Sequence, residues 1–290
     1  MVTLLNSVHT LELALAGFAE LRTPGQITRA LRAGGLDVLE EALAGLSESA
    51  RVEVEAKADE MQRAGINAVI FRAEDFPKIL VKNDKPIAPI LFYRGNKDLL
   101  YTDGVGMCGS RHVSAKGLEA AGRCGELVTN KGMSVVSGYA AGVDTATHLA
   151  ALRNGGSTVI VLAEGFNYFR VKKNFADDFN WDRTLVVSQF PPSQTWQAHA
   201  AMARNGIIFG LSKALVVIEA GEKGGTLAAG EGAIQLGRPV LAVDFGEDTP
   251  MGNRILINKG AKAIRTTNEL SDALDEVHSS VAPIDAPPLF

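Results

Sequence analysis

At 290 residues, 46% apolar and 21% charged, the chain predicts roughly two globular domains at about 150 residues each and excludes a disordered or fibrous protein. Its 29 basic and 33 acidic residues leave a net charge of −4, with 12 and 15 up to Asp103 and 17 and 18 after it, so neither part offers a broad basic coat for nucleic acid. Two cysteines exclude a disulfide scaffold and a four-cysteine zinc site, no apolar run nears the ~18–20 residues of a membrane span, and Met1-Val-Thr-Leu-Leu-Asn6 lacks a signal peptide's charged start, so a soluble cytoplasmic protein is expected.

Residues 10–64 read as helices: Leu11, Leu15 and Phe18 keep helical spacing, Pro24 suits a helix start, and Gly34-Gly35 interrupts the pattern. From Gly65 the period changes, with a strand at Ile66–Phe71, a short helix at Asp75–Leu80 and a second strand at Ile90–Tyr93. After Tyr101 short β-branched runs alternate with amphipathic stretches. Strands are expected at Val105–Cys108, Ser134–Val136, Thr158–Leu162, Leu185–Val187, Ala214–Ile218, Val240–Val243 and Ala263–Ile264. Helices are expected at Ser114–Asn130, Gly142–Arg153, Trp196–Gly210, Thr226–Leu236 and Asn253–Asn258. Such alternation predicts an α/β fold, a doubly wound, mainly parallel sheet covered on both faces, whose ligands sit beyond the carboxyl ends of the strands. The expected layout is a helical domain over 1–61, an α/β domain over 62–276 and a proline-rich, disordered tail over 277–290.

A nearly neutral chain must hold an anion with a few placed side chains and backbone N–H groups. Gly109-Ser110-Arg111 follows the first strand of the alternating part: glycine permits close approach, serine brings a hydroxyl, and arginine grips a phosphate with two donors. An ordinary strand-to-helix turn with a solvated arginine would read the same. Ser137-Gly138 follows the next strand. Asp144 and His148, one helical turn apart, lack a third metal ligand and read as capping and local hydrogen bonding. Gly165–Phe175 mixes four aromatics with three cations in eleven residues, including Lys172, Lys173, Asn174 and Phe175. Aromatics that stack bases beside cations that hold phosphates suit single-stranded nucleic acid, although core aromatics beside a basic turn give the same pattern. Arg204-Asn205 lies in a helical stretch. Lys223, Gly224 and Gly225 form a candidate anion cradle, with Thr226 placed to cap the following helix. Arg111, Lys172, Lys173, Lys223 and Arg204 are expected to converge on one rim.

Other motifs fail. Gly104-Val-Gly-Met-Cys-Gly109 spells a dinucleotide fingerprint but overlaps the strand it should follow, and no P-loop is present. Neither a G-x-S-x-G elbow nor a zinc deaminase signature occurs, so no catalytic residue, metal or cofactor is expected. Cys108 reads as a small buried hydrophobe and Cys124 as mid-helix.

In their order, Asp75-Phe-Pro77, Ile90–Gly95, Gly109-Ser-Arg111, Ser137–Asp144, Ser188–Pro192, Arg204–Ser212, Lys223–Leu227 and Met251–Ala261 resemble the DNA-processing protein A family, known as DprA or Smf. The resemblance runs from Gly65 to about Ala263. It implies an extended Rossmann-like domain that binds single-stranded DNA, forms homodimers and assists loading of a RecA recombinase in natural transformation. By motif it implies that Arg111 and Lys172-Lys173-Asn174 contact the strand and that Arg204, Asn205 and Lys223 line the same pocket. The chain departs from the family at Arg170-Val171, where Tyr-Pro is usual, at Ala201-Met202, where Phe-Pro is usual, and at Gly206, where an arginine is usual. The sequence also stops before the winged-helix domain that many members carry. A rival resemblance joins Lys223–Glu231 to the phosphate loop of lysine-decarboxylase-like phosphoribohydrolases, with a glycine missing and altered spacing to Glu231. A nucleotide sensor without catalysis is a further alternative.

Overall fold

The computed structural model describes residues 7–279. Four helices come first: α1 (Ser7–Leu21), α2 (Pro24–Gly34), α3 (Asp37–Gly45) and α4 (Glu48–Arg63). Strand β1 (Ile66–Ile70), the short pair β2 (Val81–Lys82) and β3 (Lys85–Pro86), and β4 (Ile90–Gly95) follow. The alternating part contains β5 (Gly104–Cys108), α5 (Ala115–Asn130), β6 (Ser134–Ser137), α6 (Val143–Arg153), β7 (Thr158–Val161), β8 (Thr184–Ser188) and α7 (Ala198–Gly210). It continues with β9 (Ala214–Val217), α8 (Gly225–Gln235), β10 (Val240–Val243), α9 (Met251–Asn258), β11 (Lys262–Ile264) and α10 (Thr267–Ser279). By internal contacts the chain divides into two compact units, Met1–Thr102 with Ser157–Leu211, and Asp103–Gly156 with Ser212–Phe290.

In the first unit the strands run in the order β1-β4-β8-β7; the first two pairings are antiparallel and β7 runs parallel to β8. The helices start where their caps dictate. The Thr23 hydroxyl accepts the Gln26 N–H before Pro24, and the Ser47 hydroxyl accepts the Ala50 N–H ahead of α4. Helix α1 lies on β1, with Phe18 stacked on Phe92 at 6.1 Å between ring centroids. The short helix expected over Asp75–Leu80 contracts to one 3-10 turn, Lys78–Leu80. Pro77 has no N–H to give, and the chain leaves the turn directly as β2.

The second unit is wholly parallel, in the order β6-β5-β9-β10-β11. Val105, Met107, Val135, Val216, Leu241 and Ile264 form one buried cluster with residues of α5, α6 and α10. Helices α8 and α9 pack against β9 and β10, whose Leu215 and Val217 alternate to the other side of the sheet. The sheet is therefore wound on both faces. Helix α10 is absent from the sequence-based expectations, because only Leu270, Ala273 and Leu274 of its largely polar stretch are buried. It continues to Ser279, past the expected start of a tail at 277; the rest of that tail lies outside the described residues. Among the described residues no helix is long and apolar enough to cross a membrane.

Parallel pairing sends every carboxyl end in this unit to one edge. The register sets Cys108 beside Val217, so the segments after β5 and β9 leave the sheet as neighbours. Asn253, fully buried in the first turn of α9, fastens that edge. Its Oδ1 accepts the Ala220 N–H at 2.8 Å, and its Nδ2 lies 2.9 Å from the Ile218 carbonyl and 2.7 Å from that of Val243. Asn253→Leu keeps the branched shape but strands several buried backbone groups, each costing roughly 1–3 kcal/mol, so urea unfolding should show a loss of about 3 kcal/mol.

Candidate nucleic-acid interface

In the second unit, Arg111 and Lys223 occupy the same sheet edge and both are exposed. Their loops are tied together. The Thr226 hydroxyl donates to the Gly109 carbonyl at 3.1 Å, and the Val143 N–H donates to the Ser110 carbonyl at 3.2 Å. The Ser110 hydroxyl accepts the His112 N–H at 3.1 Å, closing the turn that presents Arg111. Helix α8 is capped at Gly224, with φ +113°, rather than at Thr226, whose hydroxyl is given to Gly109. A Cβ at Gly224 or Gly225 would meet nothing within 4 Å, and both residues are exposed beside Lys223 at the positive end of a helix.

The start of α5 is different. The Glu219 carboxylate accepts the Ser114 N–H at 3.0 Å and also the Ser114 hydroxyl, so a protein carboxylate already satisfies that helix terminus. Ser137 and Gly138 are scaffold rather than ligand contacts. The Ser137 side chain is wholly buried, with its hydroxyl 2.7 Å from the Met107 carbonyl and 3.1 Å from Asp144 Oδ1. The Gly138 carbonyl lies 2.6 Å from His148 Nε2, which gives the Asp144–His148 pair the structural role its spacing suggested. Cys124 is buried and its thiol is pushed up to about 12 by that burial, while Cys108 is only half-buried.

The first unit holds Lys172, Lys173, Asn174, Phe175, Arg204 and Asn205. The loop after β7 sorts its aromatics by burial. Phe166 and Phe169 turn inward as an edge-on pair at 6.3 Å, and Phe169 meets Trp181 at 6.3 Å. Phe175, the expected stacking ring, is 0% exposed and belongs to the core, so no base reaches it. Tyr168 is instead 50% exposed, beside exposed Arg170, Lys173 and Asn174. Arg170 Nη1 donates to the Phe169 carbonyl at 2.6 Å and to that of Asn167 at 3.0 Å, holding this turn in shape. Lys57 of α4 reaches the same loop through Asn167 Oδ1 at 3.1 Å, a contact its helical surroundings in sequence did not signal.

Arg204 on α7 sends Nη1 to the Val161 carbonyl at 3.2 Å. Glu164 lies in the loop directly after β7. Its carbonyl accepts the Ser188 hydroxyl at 2.7 Å, whereas its half-buried carboxylate makes no hydrogen bond or ion pair among the described residues. Burial pushes this carboxyl above the usual range, and the charges of Arg204 and Lys172 pull it partway back. Glu231, the acid of the rival phosphoribohydrolase reading, pairs with Lys259 at 2.5 Å.

Residues 67–275 match the family model described as DNA recombination-mediator protein A. The chain belongs to that family. It is 32% identical over 216 residues to the DNA processing protein DprA of Bacillus subtilis, spanning 73% of this chain and 72% of the relative. It is 35% identical over 190 residues to the Streptococcus pneumoniae DprA, spanning 64% of this chain and 66%, just under two thirds, of that relative. The X-ray structure of the pneumococcal protein superposes with a TM-score of 0.70 at 28% identity, covering 92% of this chain and 97% of that one. The Helicobacter pylori DNA processing protein A shares the fold, with a TM-score of 0.63 at 20% identity over 73% of this chain and 96% of its own.

Within this member of the family, the Arg111 turn depends on a glycine one strand away. Gly142, at φ +76°, caps α6, and a Cβ there would stand 2.2 Å from the Ser110 carbonyl oxygen and 2.7 Å from that of Arg111. Gly142→Ala combines a left-handed backbone with that collision. It should lower stability by about 1–3 kcal/mol in thermal unfolding and increase amide exchange over 109–114.

Proposed function

We propose that this protein binds single-stranded DNA in preference to duplex and, as a homodimer, assists the loading of a RecA-type recombinase during DNA uptake or recombination, without catalysis of its own. The observation that carries the DNA reading is the loop after β7, which carries an exposed Tyr168 together with exposed Arg170, Lys173 and Asn174. A flexible strand can lay a base on such a ring while its phosphates meet the cations. Arg111, Lys223 and the exposed helix start at Gly224-Gly225 supply a phosphate-holding edge in the other unit. A duplex needs a wider positive surface than a chain of net charge −4 offers. A single-stranded DNA binding mode is described for the DNA processing protein A of H. pylori, in keeping with this reading. The recombinase and dimer parts rest on family resemblance. The pairing of Glu231 with Lys259 counts against phosphoribohydrolysis, since that carboxylate is taken up by another helix.

With three phosphates neutralised, the log–log salt dependence of single-strand binding should have a slope of about −2. Arg111→Ala and Lys173→Ala should each weaken binding and make that slope shallower by about 0.7, while Tyr168→Ala should cost about 1–3 kcal/mol. Titration of single-stranded DNA, duplex DNA and free mononucleotides at one salt concentration tests the ranking. Folded Arg111 and Lys173 variants that bind like the parent would remove the proposed contacts.

A dimer should sediment at micromolar protein concentration, and a monomer with intact DNA binding overturns that part alone. Ribose 5-phosphate release from a nucleoside monophosphate, abolished by Glu231→Ala, would favour the hydrolase instead.

A further inference from the structure

We infer that Glu164 is a base-reading residue that gives single-strand binding a preference for guanine at the loop after β7. This rests on the single-stranded DNA reading above and adds specificity to contacts that otherwise carry none. The observation is a half-buried carboxylate in the candidate interface whose two oxygens meet no donor among the described residues. Its main chain is fixed, because its carbonyl takes the Ser188 hydroxyl at 2.7 Å and the next residue, Gly165, gives its N–H to the Gln194 carbonyl at 2.8 Å. The side chain is thus held on a rigid base with its acceptors unspent.

The nearby cations do not use it up. Arg204 directs Nη1 to the Val161 carbonyl, and the charges of Arg204 and Lys172 act on the Glu164 carboxyl from a distance. A half-buried carboxylate in a loop that also carries cations, with no protein donor of its own among the described residues, fits a ligand that inserts donors there.

Chemistry narrows that ligand. An ionised carboxylate only accepts, so a phosphate would be repelled, and the deoxyribose within a strand has no hydroxyl to offer. Base edges remain. Guanine presents N1–H and the N2 amine side by side, matching two carboxylate oxygens. Adenine and cytosine set one amine beside a ring-nitrogen acceptor, and thymine sets its single N3–H between two carbonyl oxygens. The expected order is guanine first and thymine last.

The test uses the full chain and labelled strands of equal length, one all thymidine and one carrying isolated guanosines too sparse for four-stranded structures. The parent should bind the guanosine strand about tenfold more tightly, the scale of a good bidentate base contact. Replacing each guanosine by deoxyinosine, which lacks the N2 amine, should remove most of that gain. Glu164→Gln and Glu164→Ala should reduce the preference to below about twofold while binding the all-thymidine strand at least as well as the parent, since a charge that repels phosphate is gone. Equal affinity of the parent for both strands, or a preference that survives in both folded variants, overturns the inference and leaves DNA binding standing. Failure of the parent to bind either strand overturns the DNA reading itself.

Discussion

Parallel strand pairing in the unit built from β5, β6, β9, β10 and β11 is the constraint on which the candidate interface depends. With all five strands running one way, the segments after β5, β6, β9 and β10 leave from the same edge, so side chains separated by more than a hundred residues, such as Arg111 and Lys223, become neighbours in the fold. The edge is then locked by polar groups rather than by apolar packing. Asn253 stitches the ends of β9 and β10 to α9, Thr226 reaches the Gly109 carbonyl, and Glu219 closes the start of α5. Each bond satisfies a backbone group that would otherwise be left open at a strand or helix end, which is why loops this polar keep a defined shape.

That economy of partners also decides where an anion can go. The helix termini at this edge are not equivalent: the start of α5 is filled by Glu219, while the start of α8 has glycines, no side-chain cap and an adjacent exposed lysine. Net charge says little about such a surface. A chain at −4 can still present cations locally, because other charges are matched in pairs such as Lys116–Asp248, Lys131–Asp275 and Lys262–Glu276.

The first unit solves a different problem. Its loop after β7 has to bury three phenylalanine rings and still leave a polar face outward. Phe166, Phe169 and Phe175 go inward, Phe169 against Trp181, and Tyr168 is the ring left at the surface beside the cations. A phenol suits that place, since its ring offers a stacking face and its hydroxyl keeps contact with water. Membership of the DNA recombination-mediator protein A family accounts for the fold of this part.

The sequence by itself determined the α/β class, nearly every strand to within a residue or two, the helix starts at Pro24 and Ser114, and the loops in which function was to be sought, because hydrophobic period and capping chemistry are local properties. Those local signals could not distribute the loop residues between core and surface. Phe175 and Tyr168 look alike in a string of aromatics and cations, and only packing against the rest of the unit buries one and exposes the other. Ser137 looked like a ligand contact and is an internal hydrogen-bonding group; Thr226 looked like a helix cap and is a brace to Gly109. Helix α10 had too few apolar positions to announce itself, yet Leu270 and Leu274 complete the core beneath it. The Glu164 carboxylate, without a protein donor among the described residues, was invisible for the same reason: whether a polar side chain is satisfied depends on groups brought near it by distant parts of the chain, which tertiary structure alone decides.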